Sequence, residues 1–374
     1  MYLQRLSLRD FRNYGQADLE LRPGVTVFVG RNGQGKTNLV EALFLLASGK
    51  SHRIATNTAL IKKDASAGIV RATVVAHDRA LTCEWELNRD NPDRLQLNGN
   101  AAKAGDFARS LSVVMFAPED VSLVRGEPAL RRTHIDDVAS WLFPRLRGTL
   151  ADYERTLKQR NTLLKSLRAH SRATVDTGTL DVWDENVVRL GAEIFAARTA
   201  TVTLLAPYVT SRYRSIAGAE HDPEMHIASS VESVDQDPED YARLFAEQLG
   251  LNRAADVERG QTSVGPHRDD ITFTLNGLPA KGYASHGETW SFVLALRLAE
   301  LDVKRREGPT GDPIVILDDV FAELDAKRRE LLSHSLQGVE QVLVTAAVRD
   351  DVPSSMSAHL TMISSGSIVS EGEE

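Results

Sequence analysis

Eight consecutive residues, Gly30-Arg31-Asn32-Gly33-Gln34-Gly35-Lys36-Thr37, place glycines, a lysine and a hydroxyl at the spacing G-x-x-x-x-G-K-[ST]. Glycines at these positions let successive backbone N–H groups turn inward around an anion. A lysine here reaches terminal phosphates, and a threonine hydroxyl here binds Mg2+. The flanks agree: Val25–Val29 is an apolar, strand-like run and Asn38–Ala47 has helical spacing. A helix that starts here points its positive end at the anion. We therefore expect Gly30–Thr37 to hold a nucleoside triphosphate, with ATP as the expected one.

A second segment, Ile314-Val315-Ile316-Leu317-Asp318-Asp319, ends a buried-strand pattern in two carboxylates. Alone it means little, because apolar strands often end in Asp at a turn. Beside the glycine loop it is the natural partner: Asp318 is expected to hold Mg2+ and Asp319 to orient or deprotonate the attacking water. The candidate catalytic groups are thus Lys36, Asp318 and Asp319. No Asn-Lys-x-Asp segment for reading guanine is present, which disfavours a GTPase. A third segment, Ser285-His286-Gly287-Glu288, opens a helical pattern running from Glu288 to Arg306. By itself it reads as a good helix N-cap.

The elements around these residues change character along the chain. The first third reads as strands with one clear helix, and Asn98-Gly99 is a strong hairpin turn, as is Asn276-Gly277 further on. Ile69–Ala76 and Leu81–Leu87 read as paired strands around His77-Asp78. In the middle, Leu146, Leu150, Tyr153, Leu157, Leu164 and Leu167 follow a three-four spacing, as do Trp183, Val187, Leu190, Ile194, Ala197, Thr201, Leu204 and Tyr208. These predict two long helices joined by a polar link, an antiparallel pair that is either a core element or a projecting arm. Asp237–Gly250 reads as a further helix, capped by Asp237 and ended by Gly250, and Gly218–Asp237 as a loop. Strand signals return at Ile271–Leu275, Ile314–Leu317 and Gln341–Thr345. The order is α/β, then helical, then α/β, with expected boundaries at 1–140, 141–255 and 256–374.

Composition bounds the rest. The chain has 374 residues, 42% hydrophobic and 26% charged, the balance of an ordinary soluble protein. Its one cysteine, Cys83, excludes an intramolecular disulfide and a cysteine metal cluster. No signal-like or membrane-spanning run is seen, so a cytoplasmic protein with no membrane partner is expected. The net charge of −8 does not exclude nucleic acid, because a local basic stripe can coexist with an acidic whole. Arg131-Arg132 is one candidate stripe. Lys158, Arg160, Lys165, Arg168 and Arg172 on the first long helix read as a solvated face.

The Asn32-Gly33 pair and the short Asp319–Asp325 spacing resemble the ABC-type ATPase heads of transporters, SMC proteins and Rad50. Ser285–Glu288 lies upstream of Asp318, as the signature segment of that class does. Within the class the chain is similar to the RecF family of bacterial DNA-repair ATPases. The segments that carry this are Asp10-Phe11-Arg12-Asn13-Tyr14, Phe116-Ala117-Pro118-Glu119-Asp120, Gly126-Glu127-Pro128-Ala129-Leu130-Arg131-Arg132, Val264-Gly265-Pro266-His267-Arg268-Asp269-Asp270, and Leu317–Asp325 with Lys327 and Leu331.

The resemblance implies an ABC-type P-loop head of mixed sheets and helices carrying a largely helical inserted domain. It implies ATP and Mg2+ as cofactors, with Arg12 among the nucleotide contacts. It implies that Ser285, Gly287 and Glu288 meet the γ-phosphate held by a partner subunit, in an ATP-dependent homodimer. It further implies double-stranded, gapped or junction DNA as ligand, with Arg131 and Arg132 as contacts, the RecO and RecR proteins as partners, assistance to RecA loading, and slow, DNA-stimulated ATP hydrolysis.

Four departures stand out. Asp319 occupies the place of a usual glutamate, Val344-Thr345-Ala346-Ala347 lacks a switch histidine, and no Q-loop glutamine is evident, the Pro118–Asp120 region standing in its place. His134 stands where the middle motif usually has an aromatic residue. The rival readings are a transporter's nucleotide-binding subunit, disfavoured by the missing histidine and the helical insertion; an SMC- or Rad50-like structural head, which needs far longer coiled coils; and a small-metabolite P-loop kinase, in which Ser285 has no role.

Overall fold

The computed structural model describes residues 1–54, 56–169, 178–218, 220–231, 238–356 and 358–369. The chain divides into two units: Met1–Val121 with Tyr208–Glu220 and His286–Glu374, and Ser122–Pro207 with His221–Ser285. The sequence boundaries at 140/141 and 255/256 both fall inside the second unit.

The first unit holds two six-stranded sheets. One is antiparallel, in the order Tyr14–Glu20, Tyr2–Phe11, Ala67–Ala76, Arg79–Asn88, Arg94–Leu97 and Asn100–Ala101. Alternation drives it: Leu6, Leu8, Val70, Ala72 and Val74 are buried while Arg5, Arg9 and Arg71 face out. Its tight turns are those expected, with positive φ at His77 (48°), Asp78 (60°), Asn98 (49°) and Gly99 (78°).

The other sheet runs Ser367–Val369, Ala358–Ser364, Gly24–Val29, Gln341–Ala346, Ile314–Asp318 and Val113–Phe116. All of its pairs are parallel except the first. Ile314–Asp318 and Gln341–Ala346 are buried at every residue, as a parallel strand covered on both faces must be. Register sets up the chemistry. Asp318 pairs with Thr345, and Ala346 pairs with Val29. The Asp318 carboxylate and the loop that begins at Gly30 therefore emerge at one edge, where the strands' carboxyl ends open a crevice.

The helix Lys36–Ser48 follows the loop and buries Leu39, Leu43 and Leu46 in one core with residues of both sheets, including Leu8, Val70, Phe28, Ile316 and Leu343. The helix His286–Glu307 is buried on more than one face, from Thr289 to Leu296 without a break. Asp120, beyond the Val113–Phe116 strand, caps the turn at Ala117 and pairs with Arg297 of this helix at 2.6 Å. The segment that stands where a Q-loop would be thus ties the helix to the sheet.

The second unit is built on the expected pair of long helices, Leu146–Ala169 and Gly178–Ala217, the latter counted to Pro207. They run antiparallel: Thr149 bonds Glu193, and Arg160 bonds Asp184. A third helix, Pro238–Arg259, closes their apolar seam with Tyr241, Phe245 and Leu249 against Val187, Leu190 and Ile194. Tyr241 stacks on Phe195 at 4.0 Å, and Gly191 is the position where Phe245 leaves no room for a Cβ.

Two expectations are corrected here. Gly250 does not end the third helix, which continues to Arg259 and stops at Gly260, whose φ is +69°. A helical glycine costs only about 1 kcal/mol relative to alanine, and the following turns are held by the buried Asp256. Part of the expected Gly218–Asp237 loop is a strand, Pro223–Ala228, at the edge of a three-stranded sheet with Asp270–Leu275 and Leu278–Pro279. A proline at the first residue of an edge strand masks its signal. Asp237 and Arg172 lie outside the described residues. Among the described residues, no helix is long and apolar enough to cross a membrane.

Candidate nucleotide site

The glycine loop is fixed from outside by its carbonyls. Tyr14 Oη donates to Gly35 O at 3.1 Å, Asn13 Nδ2 to Gln34 O at 3.1 Å, and Gly366 N to Gln34 O at 2.9 Å. Two glycines are required by space: a Cβ on Gly30 would collide with the Ile363 carbonyl, and one on Gly35 would lie 2.7 Å from Asn13 Nδ2. Gly33 and Gly35 also carry φ of 82° and 114°. The segments Asp10–Tyr14 and 363–366 thus form a rigid outer wall for the loop.

Inside the loop, Lys36 is buried to 3% exposure. Thr37 Oγ1 donates to Asp318 Oδ1 at 3.0 Å, across 281 residues of chain. Thr345 Oγ1 donates to the same oxygen at 2.7 Å and accepts the Asp319 N–H at 2.9 Å. Thr345 was not singled out from sequence; its signal is its register opposite Asp318. A hydroxyl and a carboxylate at this distance are the hard oxygen donors that Mg2+ takes. Among the described residues no cluster of three or more His, Cys, Asp or Glu could hold a metal without help.

Asp319 sits with φ +51°, a conformation uncommon for a non-glycine residue. Burial pushes its carboxyl above the usual range, and Lys36 opposes that shift. An acid raised on folding binds its proton more tightly in the folded state, so stability falls as pH rises from the ordinary carboxyl range through the raised value. Asp319→Asn is therefore expected to raise the melting temperature at neutral pH relative to pH 4 while removing turnover, as paired melting and ATPase assays can check.

The third segment lies at the unit boundary, with Ser285 ending the second unit and the helix His286–Glu307 in the first. Gly287 leaves room for the Arg328 guanidinium, 2.9 Å from where a Cβ would stand. Arg328 Nε donates to Ser291 Oγ at 3.2 Å, and its N–H and guanidinium both bind Asp325. Arg328 thus joins the start of this helix to the turn after Asp319. Arg12 makes a bidentate pair with the buried Glu41, at 2.8 and 2.7 Å. It also lines an open hollow of about 530 Å3 with Asn13, Asn38, Arg53, Lys63 and Arg89.

Arg131 requires correction as a surface charge. Arg131 is 4% exposed, with its guanidinium bidentate on Asp270 at 2.7 and 2.8 Å and a third bond to Gly126 O. Arg132 donates to the Asp269 carbonyl. Both hold the middle motif to the Val264–Asp270 segment; Arg131 is too buried to offer a guanidinium edge to a phosphate, whereas Arg132 is half-buried. Arg160 is likewise not on a solvated face: it is fully buried between Asp184 and Asp256.

His267 is part of the same interior. Nε2 donates to Thr262 O at 3.2 Å, and Nδ1 lies 2.8 Å from Tyr153 Oη, which donates to it when the imidazole is neutral. Burial pushes it down from 6.5 to about 4. The unfolded chain takes this proton first, so the stabilisation is complete above pH 6.5 and is lost as pH falls towards 4. The loss is about 3 kcal/mol. Urea titrations across this range should show it, and His267→Asn should flatten that part of the profile.

A glycine loop before a helix, a threonine–carboxylate pair at the ends of parallel strands, and a helix opened by Ser285–Glu288 define an ABC-type ATPase head. The sequence matches the family model described as the RecF/RecN/SMC N-terminal domain over residues 2–369. It is 47% identical to the DNA replication and repair protein RecF of Clavibacter sepedonicus, over 99% of this chain and 95% of that one. It is 48% identical to the RecF of Leifsonia xyli subsp. xyli, over 99% of both. A solved structure of the recombination mediator protein RecF with ATP in the RecFOR pathway superposes with a TM-score of 0.89 at 28% identity, covering 98% of this chain and 97% of that one. The Smc head domain derived from Pyrococcus furiosus shares the fold, with a TM-score of 0.56 at 16% identity over 98% of this chain and 96% of that one. The chain belongs to the RecF family.

Proposed function

We propose that this chain is an ATP-dependent DNA-binding protein of recombinational repair and replication-fork maintenance, in which nucleotide controls pairing of two copies. The observation that carries this is the Thr37–Asp318 bond, which assembles the glycine loop and the acidic strand end into one nucleotide site. ATP lies on Gly30–Thr37, with Lys36 on its terminal phosphates and Mg2+ between Thr37 and Asp318. Arg31, Asn32 and Gln34 contribute backbone to the phosphate cradle, and Arg12 borders it. Asp319 orients the attacking water. A second copy completes the site with Ser285, Gly287 and Glu288 at the start of its helix. ATP binding closes the dimer on gapped or double-stranded DNA, and slow hydrolysis opens it. RecO and RecR are the expected protein partners and RecA loading the expected outcome. The ATP and RecFOR context of the related structures supports this reading.

Steady-state ATPase rates with and without duplex DNA test it. Turnover that DNA raises several-fold, and that Lys36→Met abolishes, is expected. DNA-independent turnover surviving the substitution contradicts it.

A further inference from the structure

His52 lies in the loop after the helix Lys36–Ser48, outside every motif read from the sequence. The loop is held in place. Ser51 Oγ donates to Glu41, which is fully buried and also binds Arg12, and accepts from Arg53 N at 3.0 Å and Ile54 N at 3.2 Å. The His52 ring then stands edge-on to Phe44, with centroids 5.7 Å apart and an 87° angle. This brings Nε2 to 3.8 Å from Asp318 Oδ2. Both ring nitrogens are buried, and among the described residues neither has a hydrogen-bond partner.

A buried imidazole that satisfies neither nitrogen is costly and calls for a reason. Packing alone supplies none, because phenylalanine would fill the place against Phe44 without that cost. Asp318 supplies one. Its Oδ1 is taken by the hydroxyls of Thr37 and Thr345, so Oδ2 is the oxygen left for a cation, and His52 is the side chain that faces it.

We propose that His52 is a positioning residue of the divalent-cation site, whose Nε2–H fixes Asp318 Oδ2, directly or through one water, once the Mg2+–nucleotide complex is bound. Groups that orient a ligating carboxylate typically contribute 10–100-fold in metal affinity or activity. The inference rests on the reading of Asp318 as the metal-holding carboxylate.

The test measures how much a divalent cation tightens nucleotide binding. Calorimetry gives the affinity for a non-hydrolysable ATP analogue with Mn2+ and with EDTA, and the ratio is the readout. Wild type, His52→Phe, His52→Gln and Asp318→Asn are compared, with ligand-free melting as the check on folding. His52→Phe should lower the ratio about tenfold or more, and His52→Gln, which restores an N–H near the Nε2 position, should recover part of it. A folded His52→Phe chain with the wild-type ratio, beside an Asp318→Asn chain that has lost it, overturns the inference alone. If Asp318→Asn also keeps the ratio, the metal site itself is misread. His52→Leu serves in the same way if the phenylalanine variant does not fold.

Discussion

Lys36→Met is expected to weaken ATP binding at least a hundredfold while the chain stays folded. Lys36 is 3% exposed and acts directly on the Asp319 carboxyl, so its ammonium sits inside the site beside the acidic strand end. Hydrogen bonds to charged groups contribute about 1.5–3 kcal/mol each, and an ammonium between two phosphate oxygens makes two. Their loss corresponds to about two to four powers of ten in affinity. Methionine keeps the length and apolar stem, so the surrounding packing survives. Without the ammonium, the Asp319 carboxyl moves further up, because Lys36 is what opposes its burial. Titration calorimetry with ATP and Mg2+ checks this. A weakening of tenfold or less would place the triphosphate elsewhere.

Arg160→Met carries the largest expected effect on stability, a loss of about 3–5 kcal/mol. The guanidinium has no exposure and holds three groups: Asp184 at 2.6 Å, Asp256 at 2.9 Å and Thr262 Oγ1 at 2.8 Å. Asp184 keeps a second partner in Arg253 when Arg160 is removed. Asp256 does not; it is fully buried and, among the described residues, is left with only the Ser263 N–H and hydroxyl. The cost is that of an uncompensated buried carboxylate rather than of a lost contact. Urea unfolding followed by far-ultraviolet circular dichroism measures it. Arg160→Met combined with Asp256→Leu should recover much of the loss, because no charge then remains buried alone. A single-variant loss below 1 kcal/mol would mean that the site admits water.

What sequence made legible follows the range of the interactions involved. Gly30–Thr37 could be read because its chemistry is local: glycines, lysine and threonine work at fixed spacing in one turn. Asp318 became legible through order along the chain, and the hairpins at His77-Asp78 and Asn98-Gly99 through turn chemistry two residues long. The residues that were missed act across long separations. Thr345 meets Asp318 only through parallel strand register, and His52 meets it through the return of the loop after the first helix. Arg131 and Arg160 looked like surface charge because nothing near them in sequence reveals that Asp270, Asp184 and Asp256 receive them. The same holds for the edge strand Pro223–Ala228, whose evidence is its partner Asp270–Leu275. In this chain helical period and turn type were visible, whereas the pairing of buried charges was not.

The central claim is that the glycine loop is one side of a site completed by Ser285–Glu288 of a second copy. Sedimentation velocity at saturating ATP and Mg2+ tests it most directly, on the wild-type chain and on Ser285→Arg, whose bulk at the start of the helix blocks the approach to a partner's phosphate. The expected result is a shift from monomer to dimer for the wild type, no shift with ADP, and no shift for Ser285→Arg although it still binds ATP. A wild-type chain that stays monomeric with ATP bound, or a Ser285→Arg chain that dimerises as readily as the wild type, would contradict it.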